Sequence, residues 1–274
     1  QLIPELAKVV GELFVFQRRP NWCAPLHNRE ITPEEMADIK SRYDEIFAQC
    51  RITPGGFIHN PLRQPMFDVP EEERYAFFEE LYASSGFRIW QGNYRDILMD
   101  EKANEEFTAF MANKIRDRIT DPVRAEKLIP TDHGFGMRRP PMETGYYEAY
   151  NRPNVTLVDL NETPLVTITE RGIETSDGER EFDMIIWATG FDGFTGALTR
   201  INVVGEDGRV LRDQWSQGVV TYLGAMVPGF PNFFMAGGPH LIAGNFPRAT
   251  ELMVNYIFEV LEHAKASGTT YVAP

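Results

Sequence analysis

The first ten residues place Leu2, Leu6, Val9 and Val10 on one side of a helix. Gly11 then gives way to the apolar run Glu12–Gln17, a short buried strand closed by Arg18-Arg19-Pro20. Thr32-Pro33-Glu34-Glu35 has the form of a capping box with proline at the first helical position. Behind it, Met36, Ile39, Tyr43, Ile46 and Phe47 form the apolar stripe of one helix. A Pro/Gly-rich stretch from Thr53 to Pro65 separates that helix from a second over Pro70–Ser84, with Tyr75, Phe78 and Tyr82 as buried candidates. A third helix starts near Asp100 and carries Phe107, Phe110, Met111 and Ile115, and Asp121-Pro122 opens a short fourth. From Asn151 the period falls to two: Val155–Val158 and Leu165–Ile168 read as strands. Ile173 leads through the Asp177-Gly178 turn into Phe182–Trp187, apolar enough for a central parallel strand. That run ends at Ala188-Thr189-Gly190, and a second run, Phe233–Ala236, ends at Gly237-Gly238-Pro239. A final helix spans about Arg248–Ala266.

The order of these elements predicts an α/β fold with a helical insertion. Helix, glycine, apolar strand and then charge form the second half of a βαβ unit, whose strand end lies beside the adenosine ribose of a bound dinucleotide. Arginines there favour a 2′-phosphate, so Arg18-Arg19 leans towards NADP. The Gly-rich turn of such a unit is not in the chain; Gly134-Phe135-Gly136 lacks the third glycine. No capping residue precedes Leu2 and no closing element follows Tyr271–Pro274, so both ends are expected to be cuts.

Charge and composition narrow the function. A net charge of −13 argues against generic nucleic-acid binding, which needs a basic surface to displace counterions. No stretch approaches the roughly 20 apolar residues of a membrane span. Cys23 and Cys50 stand in no metal or redox spacing, which fits two free thiols in a reducing cytoplasm, and the five histidines show no ligand spacing.

Several motifs then occur in a fixed order: Leu13–Arg18; Asn113-Lys114-Ile115-Arg116 with Asp121-Pro122; Phe135-Gly136-Met137-Arg138-Arg139; Gly145-Tyr146-Tyr147-Glu148; Asn151–Val155; Trp187-Ala188-Thr189-Gly190-Phe191-Asp192; Thr221-Tyr222-Leu223-Gly224; and Gly229-Phe230-Pro231-Asn232. Together they resemble the Baeyer–Villiger monooxygenases, class B flavoproteins that use FAD and NADPH, across essentially the whole chain. The resemblance implies two Rossmann-like dinucleotide-binding domains, both incomplete: residues 1–145 as a partial NADP-binding domain with a helical insertion over about 32–128, and 146–274 as a partial FAD-binding domain. The Gly-rich fingerprints and the family's F-x-G-x-x-x-H signature are expected ahead of Gln1.

The implied reaction inserts one oxygen atom of O₂ beside a ketone carbonyl through a C4a-peroxyflavin, giving an ester or lactone. The resemblance makes Arg139 the catalytic arginine, with Arg138 and Arg18 on the NADP 2′-phosphate. Without it, Arg138-Arg139 reads as a solvated surface pair. Ala188, Thr189 and Gly190 are expected beside the flavin, with Asp192 shaping the next turn and Asn245 a further cofactor contact. The loop Pro239–Pro247 resembles the family's substrate loop, so Leu241, Ile242, Ala243 and Phe246, with Met142, are expected to line an apolar substrate pocket. Two alternatives stand beside this: oxygen transfer to sulfur or nitrogen, where a cation is less necessary, and an inactive fragment or interaction domain that binds FAD weakly or not at all. The whole protein is expected to be a monomer or weak homo-oligomer.

Overall fold

The computed structural model describes residues 2–241 and 244–274, which form two compact units. The first comprises residues up to Ala37 together with His59–Ile186. It opens on the helix Leu2–Val9, which buries Pro4 and Ala7. The strand β1 (Leu13–Gln17) follows, then β2 (Ala24–Pro25), β3 (Met142–Glu143) and β4 (Val155–Asp159). β1 pairs with β4 in parallel from Leu13↔Val155 to Gln17↔Asp159, and β2 pairs with β3, also in parallel. An antiparallel meander, β5 (Leu165–Ile168), β6 (Gly172–Thr175) and β7 (Gly178–Glu181), completes the strands. The α/β class expected from the sequence is the class observed. The first compact unit continues past residue 145. β4 lies beyond it yet hydrogen-bonds to β1, which keeps the chain in one body as far as Ile186.

Local signals set the helices of this unit. Asp100 caps Glu101–Arg118 by accepting from Ala103 N, and Asp121 caps Pro122–Leu128 by accepting from Val123 N and Arg124 N. The capping box closes as expected, Thr32 N donating to Glu35 Oε2 (2.9 Å) and Glu35 N to Thr32 Oγ1 (3.2 Å). Packing then joins them. Phe78 sits 4.8 Å from Phe107 and 5.4 Å from Phe110, and Phe107 is 5.2 Å from Phe135. The buried Arg74 pairs bidentately with Glu106, tying the helix Glu71–Ala83 to Glu101–Arg118. Arg118 joins the latter to the buried Glu143 of β3 and to Glu148. Tyr75, expected to be buried, stays 38% exposed.

The second unit comprises Asp38–Ile58 and Trp187–Pro274. Its core is Leu211, Trp215, Val227, Phe230 and Met235. The helix Phe246–Ala266 is its longest element.

Three expectations give way here. The single helix behind the capping box is two, Pro33–Ser41 and Tyr43–Ile52, because Arg42 leaves helical geometry at φ −108°, ψ 13°. Phe182–Trp187 is not a strand: a strand is held by ladder partners, and none of the described residues supplies them. Phe182 instead sets its ring edge against Phe14 and Phe16. Phe233–Ala236 contributes only an isolated bridge, Met226↔Phe234.

Candidate functional site

One group of expected site residues is built around the loop 130–140 of the first unit. Trp22, 1% exposed, donates from Nε1 to His133 O at 2.9 Å and meets Phe135 edge-on. Asn104 donates to both Ile97 O and Phe135 O at 2.9 Å, and Thr108 Oγ1 accepts from Phe135 N. Gly134 is required at this crossing, since a Cβ there would stand 1.7 Å from Asn104 Oδ1. The loop is thus strapped to the helix Glu101–Arg118, and β3 fixes the chain after it. Arg138 and Arg139 occupy the exposed strip between these anchors.

Arg138 Nη2 lies 3.0 Å from Asp132 Oδ2, and Arg19 Nη1 approaches the same oxygen at 3.7 Å. Asp132 also accepts from His133 Nδ1 at 2.6 Å. That bond, with the charge of Arg138, holds its carboxyl below the ordinary range. Arg18 is exposed; its carbonyl accepts from Asn161 Nδ2 (2.8 Å), and its guanidinium has no carboxylate partner among the described residues. Two guanidiniums, those of Arg138 and Arg19, thus share the one carboxylate of Asp132. A phosphate dianion suits guanidinium donors of this kind.

Arg139 differs from its neighbour. Its guanidinium lies over the Phe87 ring, 5.3 Å from the centroid, and makes no ion pair among the described residues. Its carbonyl accepts from Asn21 Nδ2 at 3.4 Å. Met142, at the start of β3, is half-buried and packs against the core of this unit.

In the second unit Ala188, Thr189, Gly190 and Asp192 are all exposed. Gly190 sits at φ +93° with open space where a Cβ would be, so the backbone can be approached closely there. Asp192 accepts from Thr195 Oγ1 at 3.2 Å. Asn245 precedes the helix Phe246–Ala266, donating from N to Gly55 O (2.8 Å) and from Nδ2 to Gly56 O (3.0 Å). Leu241 is half-buried and Phe246 is 48% exposed. Ile242 and Ala243 lie outside the described residues. His240 Nδ1 lies 2.6 Å from Thr221 Oγ1.

Comparison with known proteins decides what these features belong to. No family model matches the chain. It is 45% identical over 276 residues to 2-oxo-Δ3-4,5,5-trimethylcyclopentenylacetyl-CoA monooxygenase of Pseudomonas putida, covering 100% of this chain and 51% of that protein. It is 38% identical over 276 residues to cyclopentanone 1,2-monooxygenase of Comamonas sp. (strain NCIMB 9872), covering 99% of this chain and 50% of that one. The crystal structure of OTEMO in complex with FAD and NADP superposes with a TM-score of 0.96 at 44% identity, over 100% of this chain and 52% of OTEMO. Along its whole length the chain is similar to Baeyer–Villiger monooxygenases. It spans about half the length of the curated relatives it matches.

Sequence reasoning passed over Asn21, Asp132 and His133. The contacts of Asn21 bridge 112 residues to His133 and 118 to Arg139, beyond any local pattern. The one nearby signal was Gly134-Phe135-Gly136, which marks the close crossing at Asn104 rather than a phosphate loop.

Proposed function

We propose that the protein carrying this chain is an FAD- and NADPH-dependent Baeyer–Villiger monooxygenase that converts a ketone to an ester or lactone. O₂, NADPH and a proton enter with the ketone; one oxygen atom enters the product and the other leaves as water. When bound, FAD supplies the activated oxygen and NADPH the electrons. Arg18 and Arg138 would hold the NADP 2′-phosphate, an assignment supported by the exposed guanidinium of Arg18, which has no carboxylate partner among the described residues, and by the pairing of Arg138 and Arg19 on the single carboxylate of Asp132. Ala188, Thr189 and Gly190 would present open backbone to FAD, with Asp192 holding the turn behind them and Asn245 a further contact.

The observation that carries this reading is Arg139: a guanidinium without an acidic partner among the described residues, on a loop pinned at both ends. Arginine keeps its charge at any physiological pH, so it can stabilise the negative charge that develops on the substrate's carbonyl oxygen. A carboxylate partner would spend that field before the substrate arrived. Leu241, Ile242, Ala243, Phe246 and Met142 would be substrate contacts, their apolar side chains suiting a ketone.

Two free cysteines support a cytoplasmic protein. No helix among the described residues is long and apolar enough to cross a membrane. We assign the whole protein as a monomer or weak homo-oligomer, with no nucleic-acid partner.

The test is Arg139→Ala in the intact natural protein. Ester formation from a cyclic ketone should fall by about 10²–10³-fold or more, as on loss of an oxyanion-stabilising donor. Reduction of the flavin by NADPH should persist. Ketone oxidation that survives the change removes Arg139 from its role.

A further inference from the structure

We infer that His133 is a positioning residue that sets both arginines of the pair, orienting Arg138 through Asp132 and Arg139 through Asn21; this rests on the roles proposed above for Arg138 and Arg139. The His133 side chain is only 7% exposed, and its backbone carbonyl is fixed by the buried Trp22 indole at 2.9 Å. A side chain so placed is well fixed. Its two nitrogens face two different polar partners: Nδ1 to Asp132 Oδ1 at 2.6 Å, and Nε2 to Asn21 Oδ1 at 3.2 Å.

Donor and acceptor directions make this a relay. Asn21 turns its Nδ2 to the Arg139 carbonyl, which can only accept, so its Oδ1 is the atom left for His133. Asp132, ionised beside Arg138 and Arg19, likewise only accepts. Each of the two ring nitrogens thus faces an acceptor oxygen. One arm ends on Asp132, whose other oxygen holds the Arg138 guanidinium at 3.0 Å. The other ends on the peptide of Arg139. A charged side chain works only if held to a fraction of an ångström, and this ring is the group common to both arms.

The two arms can be cut separately. An asparagine amide reaches about as far as Nδ1 and a glutamine amide about as far as Nε2. We would make His133→Ala, His133→Asn and His133→Gln in the intact natural protein. Two quantities are read: the affinity for adenosine 2′,5′-bisphosphate by calorimetry, and kcat for ester formation from a cyclic ketone at saturating NADPH. His133→Ala should weaken bisphosphate binding roughly threefold to tenfold, from loss of charge-assisted order at Arg138. It should lower kcat about tenfold or more, from misplacement of Arg139. His133→Asn should recover bisphosphate affinity while kcat stays low; His133→Gln should recover kcat while affinity stays low. If all three variants keep both quantities within about twofold of the parent, the proposal is wrong. It is equally wrong if both quantities fall together in every variant, in step with melting temperature, because that describes a purely structural residue. A parent protein that binds the bisphosphate but forms no ester would instead fail the reading of Arg139. The bisphosphate comparison of Ala with Asn would still decide the Asp132 arm.

Discussion

The two units meet the same demand, covering apolar side chains, with different success. In the first, Trp22, Phe78, Phe107, Phe135, Tyr147 and Tyr150 are each no more than 1% exposed, and they belong to one continuous core. Four long-range devices close it: the β1–β4 pair, the β2–β3 pair, and the Arg74 and Arg118 ion pairs. Among its described residues the second unit gathers a small core around Leu211, Trp215, Val227, Phe230 and Met235 and leaves Trp187 63%, Phe191 101%, Phe194 65% and Phe258 62% exposed. Its helix Phe246–Ala266 is amphipathic, yet only Ala264 on it is buried. The lesson is that an apolar stripe creates a need for cover but does not supply it. In the first unit neighbouring helices meet the need; in the second, isolated bridges stand where a sheet would.

This contrast can be broken by mutation. Phe78→Ala in the first unit should cost about 3–5 kcal/mol, the range for emptying a large aromatic site in a packed core. Phe258→Ala in the second should stay within about 0.5 kcal/mol, as for a surface position. Urea unfolding of the two variants checks the pair, and equal losses would end the distinction.

A smaller effect tests the first core through its protons. Burial, reinforced by Glu143, pushes the Cys23 thiol up to about 11 from an ordinary 9.0. Between those values the folded state holds a proton that the unfolded state releases. Stability from this group is therefore complete below pH 9 and falls as pH rises towards 11, by on the order of 2 kcal/mol. Thermal unfolding from pH 8 to 11 should show that decline, flattened in Cys23→Ala.

The smallest expected effect is kinetic. At neutral pH a maleimide should label the half-buried Cys50 of the second unit first and leave Cys23 protected. Mass spectrometry of a time course reads the order, and prompt labelling of Cys23 would show the first core to be looser than described.

Much of the helical fold was legible because capping is local. Asp100, Asp121 and the Thr32/Glu35 box act within three residues of where they stand. The break at Arg42 was not legible, since the apolar spacing runs through it unchanged. At the site, Arg139 and its neighbours were found by family resemblance. Spacing and composition alone gave a surface pair.

The sequence by itself determined the capped helix starts at Pro33, Glu101 and Pro122, the β1 and β4 strands, the acidic net charge and the order of family motifs. Each of these is written in neighbouring residues or in totals. The tertiary structure decided that β4 lies against β1, that Phe182–Trp187 forms no strand here, and that His133 stands between Asp132 and Asn21. Those outcomes depend on which distant groups meet. A strand needs ladder partners, and a hydrogen bond needs its donor within about 3 Å of an acceptor, conditions that no local pattern of residues can state.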